Sequence, residues 1–125
     1  MTSPIQEIRD AAQKLRTLVT DLGDCRGPWY IVNREQHPYP QRIDNIGVPY
    51  IVASTTTDPS HPPTMADYIC AMHPGVGGAL PLLLEGVASQ AVENDHEECA
   101  PYCTPEICDV AAALAVARQI LGSQP

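Results

Sequence analysis

VPYIVASTTTDPSHPPTMADYICAM, residues 48–72, changes character at its centre. The first half is a run of β-branched and aromatic residues, the composition that fits a pleated strand. DPSHPP stops it, because prolines lack the amide that a strand ladder or helix interior needs. From Met65 the chain reads as helix, with Thr64 as its cap. A strand handed to a helix across a proline stop makes the fold α+β.

Working outward, the residue before a proline is pushed from the helical region, so His73 ends one helix and Pro74 opens another. The segment 65–92 is therefore a kinked or broken helix pair. Its second member, PGVGGALPLLLEGVASQAVE, carries Val76, Leu80, Leu83, Leu84, Val87 and Val92 on a broad apolar face. Gly75, Gly77 and Gly78 suggest close helix approach, and Pro81 either kinks the helix or moves its start to about residue 79. Toward the N-terminus, GPWYIVNRE reads as a strand after a Gly-Pro turn and pairs with the strand in 48–57. The proline-rich connection between them has room for a short edge strand, so 28–57 forms a small antiparallel sheet of two or three strands.

Ser3, Pro4 and Gln6 give an N-cap, a proline at the first helical position and a capping-box partner. Ile5, Ile8, Ala12, Leu15, Val19 and Leu22 then recur at helical steps up to Gly23, defining a helix over 4–22. At the other end Thr104 reads as a cap before Pro105. Ile107, Val110, Leu114, Ala115, Ile120 and Leu121 form the stripe of a last helix, 105–121. These 125 residues are one domain's worth of chain, expected as a single compact domain over 1–125. Phe is absent and there is one Trp, so aliphatic and alanine side chains fill the core.

Between Arg42 and Arg118 there is no Lys or Arg, while ten acids occupy the interval. Phosphate-backbone binding depends on cations releasing counterions, so direct nucleic-acid recognition is not expected. No apolar run has the length of a membrane span or the place of a signal peptide. The expected location is the cytoplasm, where thiols stay reduced.

HEECAPYCTPEIC, residues 96–108, holds three of the five cysteines. His96, Cys99, Cys103 and Cys108 give H-x2-C-x3-C-x4-C, four ligands of the type and number that a structural zinc ion takes. The spacing lacks the usual two-residue separation. A disulfide within the loop and simple packing are the other readings, and an odd cysteine count forbids full pairing within one chain. Glu97 and Glu98 are solvated flanks. Elsewhere, Cys70 and His73 share one side of a helix junction, but the pattern supplies no third group. A local hydrogen bond for the histidine and burial for the cysteine are the structural expectation. Cys25 beside Arg26 has no neighbouring base, and His37 and His61 lie in solvated proline-rich loops. With no P-loop, dinucleotide fingerprint or paired carboxylates, the chain is not expected to be an enzyme.

Gly27, Pro28 and Trp29, followed by Ala66, Asp67, Ile69, His73 and Pro74 at the head of a Leu-rich helix, resemble the small Ead-like early proteins of tailed phages. The resemblance covers about residues 5–92. The residues 93–125 depart from the lambdoid pattern and are similar to actinobacteriophage members. It implies a non-structural accessory product of a phage or prophage, linked in some members to the lysis-lysogeny decision. The function expected is binding to a host or phage protein through an acidic, helix-bearing surface. A nucleotide-signal binding or sequestering protein is the alternative. The Leu-rich helix 79–92 offers apolar surface for a homodimer.

Overall fold

The computed structural model describes residues 2–33, 41–47, 51–55 and 64–122. The loops of His37 and His61, and the end of the strand at Thr56 and Thr57, lie outside the described residues. The element order is α1 (Pro4–Asp21), β1 (Trp29–Ile31), β2 (Arg42–Asn45), β3 (Ile51–Ser54), α2 (Thr64–Ala71), α3 (Pro74–Glu93) and α4 (Asp109–Leu121). The fold is α+β as expected. The chain divides into two compact units, Met1–Thr20 with Gly78–Pro125, and Asp21–Gly77.

In the first unit, Ser3 Oγ accepts the Gln6 amide at 3.1 Å and caps α1. Gln6 Nε2 donates to Asp10 Oδ1 one turn further on, at 2.8 Å. Ile5, Ile8, Ala11 and Ala12 of α1 meet Leu84, Ala88 and Ala91 of α3 and Val110, Ala113 and Ala117 of α4. Six of these ten are alanine, so short side chains fill much of the interior shared by the three helices. The expected role of glycine in that approach is corrected: a Cβ on Gly78 would meet nothing within 4 Å, and one on Gly75 would meet the His73 ring. The apolar face of α3 is rotated from its expected position too. Pro81, Leu84, Ala88 and Ala91 face inward, while Leu83 is 64% exposed and Val92 40%.

Pro81 is fully buried inside α3, which runs unbroken from Pro74 to Glu93. Packing there offsets the hydrogen bond that its missing amide removes. Glu85 receives Arg16 at 3.2 Å and Arg9 at 3.9 Å, and Arg118 reaches Glu7 at 3.3 Å. Lys14 Nζ donates to the Ile120 carbonyl at 2.8 Å, near the negative end of α4. By length and a mean hydropathy of 1.2, α3 alone among the described residues resembles a membrane span. Of that stretch 22% is buried in the fold, and Glu85 within it is ion-paired.

In the second unit the sheet order is β1-β2-β3, antiparallel throughout. The short strand expected at the edge is the central one, and the two longer runs do not pair with each other. RIDN is too short and too polar to announce a central strand. Its polar groups are satisfied internally. Arg42 Nε and Nη2 donate to the two Asp44 oxygens at 2.9 and 3.1 Å. Asn45 Oδ1 accepts the Gly27 amide, and its Nδ2 donates to the carbonyls of Asp24 and Ile46. Between these paired polar residues Ile43 is fully buried. Gly27 itself has φ +85°, a conformation that disfavours any side chain.

Candidate metal centre

The connection from α3 to α4 belongs wholly to the first unit. α3 ends in a Schellman motif, with the His96 amide donating to the Ala91 carbonyl at 2.8 Å and the Asp95 amide to Val92 at 3.3 Å. Asp95 takes the left-handed position, φ 52°. His96 is thereby set immediately beyond the helix end. Two turns follow, each with proline at its second position, where the fixed φ of proline fits. In Ala100–Pro101–Tyr102–Cys103 the Cys103 amide donates to Ala100, and in Thr104–Pro105–Glu106–Ile107 the Ile107 amide donates to Thr104. Cys108 then adopts an extended backbone as the N-cap of α4, its sulfur accepting the Ala111 amide at 3.5 Å.

The last helix thus begins at Asp109 and not at Pro105, a correction to the expected range of 105–121. Thr-Pro serves equally as a cap with its first helical residue or as the start of a turn, and here the turn prevails. Ile107, placed on the apolar stripe by spacing, is 73% exposed for the same reason.

This backbone brings together all four residues of the H-x2-C-x3-C-x4-C pattern. Their ligand atoms lie within 4.8 Å of one another. His96 Nε2 stands 3.4 Å from Cys108 Sγ and 3.7 Å from Cys103 Sγ. A tetrahedral zinc ion with ordinary bond lengths separates its sulfur and nitrogen ligands by roughly 3.6 Å. The four residues could therefore hold one metal ion. Cys99 and Cys108 also pack against the helical core, and no disulfide joins any of the five cysteines. Cys25 and Cys70 lie in the other unit.

The thiols differ in acidity. Burial pushes Cys99 up to about 11, with Cys108 and Cys103 adding to the shift. Cys108 falls to about 7 because the Ala111 amide hydrogen-bonds its sulfur, with His96 and Cys103 acting in the same direction against burial. In metal-free, reduced protein near neutral pH, Cys108 is expected to alkylate well before Cys99, since the thiolate is the reacting form. Peptide mass spectrometry after brief iodoacetamide treatment reads the order directly. A depressed folded-state pKa also means that the Cys108 thiolate supports the fold above its ordinary value of 9.0 and loses that contribution as pH falls through about 7.

A cavity of about 360 Å³ opens at the cluster itself, lined by His96, Cys103 and Cys108 together with Gln90, Asn94, Tyr102 and Asp109 among others. Spacing patterns do not disclose this cavity or the left-handed Asp95, but the repeated x-Pro-x-x turns are legible signals for the loop's path.

His73, in the other unit, makes a local bond: its Nδ1 accepts the Gly75 amide at 2.9 Å. The ring occupies the space that a Cβ on Gly75 would need, and its Nδ1 is 3.1 Å from where one on Gly27 would stand. Gly75→Ala is expected to cost about 1–3 kcal/mol by crowding this ring. Adding His73→Ala should recover part of the loss, a coupling that denaturant titration of the single and double variants measures.

The fold and centre define a small α+β protein with a Cys3His cluster suited to one metal ion. Comparison with protein-family models, curated proteins and solved structures finds no match.

Proposed function

We propose that His96, Cys99, Cys103 and Cys108 bind one structural zinc ion, and that the protein acts by binding a host or phage protein as a phage-type accessory factor. The observation that carries the zinc reading is the convergence of four ligand atoms within 4.8 Å on a loop composed of two short turns. Three thiolates and an imidazole suit zinc in preference to magnesium or calcium, which take oxygen ligands. Four protein ligands close the coordination sphere and leave no position for an activated water, so the centre is structural. The cavity at the cluster presents Asp109 and no Lys or Arg. That lining favours protein binding over sequestration of a phosphorylated nucleotide.

Metal analysis of reduced, untagged protein is expected to give close to one zinc per chain, and chelation should lower the melting temperature. Metal-free protein with two thiols missing from titration would replace this reading with a disulfide. Metal-free protein with all five thiols reactive on unfolding would leave packing alone.

A further inference from the structure

We propose that the groove between α3 and α4 docks an amphipathic helix of a partner protein that carries Lys or Arg at one end of its apolar face. This names the surface and partner class for the binding function above and rests on that reading. Leu84 and Ala113 form the floor of the groove, Leu83, Val87 and Val116 its walls, and Asp109 closes one end, around a volume of about 220 Å³. Along α3 and along α4 the lining residues recur at three- and four-residue steps, so each helix contributes a continuous strip. Eight residues of helix span about 12 Å, enough to receive roughly two turns of a partner. Leu83 is 64% and Val116 38% exposed, and the neighbouring Leu82 is 72% exposed. The short side chain at Ala113 leaves the depression between those walls.

Charge selects the occupant. From Gly78 to Ala117 the unit has seven acids and no Lys or Arg. Glu85 is taken up by Arg9 and Arg16. Asp109 stands in the groove, Glu93 is exposed at the end of α3, and Asp95, Glu97, Glu98 and Glu106 are exposed in the connection that leads to that same end. A zinc ion held by three thiolates leaves this end negative as well. A second copy would bring the same acids to the same apolar face, whereas a helix with Lys or Arg over the Asp109 end pairs opposite charges while burying Leu83.

Two fluorescent helical peptides with identical leucine faces, one ending in lysines and one in glutamates, titrated into the zinc-loaded protein test this. The lysine peptide is expected to bind at least about tenfold more tightly, with the difference shrinking as salt rises. Leu83→Ser, at an exposed position, and Ala112→Leu, which fills the groove, should each weaken binding by about tenfold or more. Circular dichroism and zinc content on the same samples report whether fold and metal are retained, so a failure of docking is distinct from a failure of the metal reading. Equal affinity for both peptides, or no binding by either, overturns the proposal. A dimer seen by light scattering and abolished by Leu83→Ser would assign the groove to a second copy and also overturn it.

Discussion

On the proposed zinc reading, Cys108→Ser is expected to lower zinc content from one per chain to near zero and to reduce the stability of the metal-loaded protein by about 4 kcal/mol when free zinc is a thousandfold above the dissociation constant. The choice of serine separates the two roles that the sulfur plays. As an N-cap, Cys108 accepts the Ala111 amide at 3.5 Å, and serine is a better capping residue than cysteine. If capping were the whole contribution, the substitution would be neutral or stabilising. As a metal ligand, the thiolate has no equivalent in a hydroxyl, which stays protonated and binds zinc poorly. The two accounts therefore predict opposite signs. In chelated samples the difference between parent and variant should nearly vanish or reverse. Hydrogen exchange should place the lost protection in 93–108 and the first turn of α4, with amides of β1, β2 and β3 unchanged, because that metal would tie down only the connection between two helices. Loss of protection in the sheet would contradict a purely local structural site.

How much of a fold its residues disclose on their own depends on how local the determining physics is. The capped start of α1, the break at His73 and Pro74, and the α+β class rest on backbone chemistry within a few residues, and each stands in the fold. The four candidate ligands are legible because donor type and count are sequence properties. Their convergence is only partly so: the two proline turns can be read from the chain, but the left-handed backbone of Asp95 that sets His96 beside them cannot. The central place of β2 escapes notice because four residues with Arg and Asp do not look central until Arg42 and Asp44 are seen to neutralise each other along one strand. The face of α3 is hidden for another reason. Three successive leucines and a valine outweigh alanine on any hydropathy measure, yet Ala88 and Ala91 are buried while Leu82 and Leu83 are exposed. A densely filled core has room only for small side chains at some positions, a preference that apolar periodicity cannot register.

That preference predicts the second large effect. Ala117→Leu is expected to destabilise the helical unit by about 3 kcal/mol or more, at the upper end of what overpacking costs in well-filled cores. Ala117 is fully buried in the cluster formed by α1, α3 and α4, and the added branch must displace a neighbouring helix or adopt an unfavourable rotamer. Leucine and alanine have nearly equal helix propensity, so the change isolates packing from local preference. Ala115→Leu supplies the comparison: it lies two residues away in the same alanine-rich run but is exposed, and its effect should stay within about 0.5 kcal/mol. Urea titrations of the two variants decide the matter. Similar midpoints would show that the three helices have slack between them, and the alanine seam would then lose its role in setting their spacing. A large loss for Ala117→Leu alone would show that this seam, more than the leucines of 82–84, determines how the helices meet and hence where the connection carrying His96 and Cys108 is anchored.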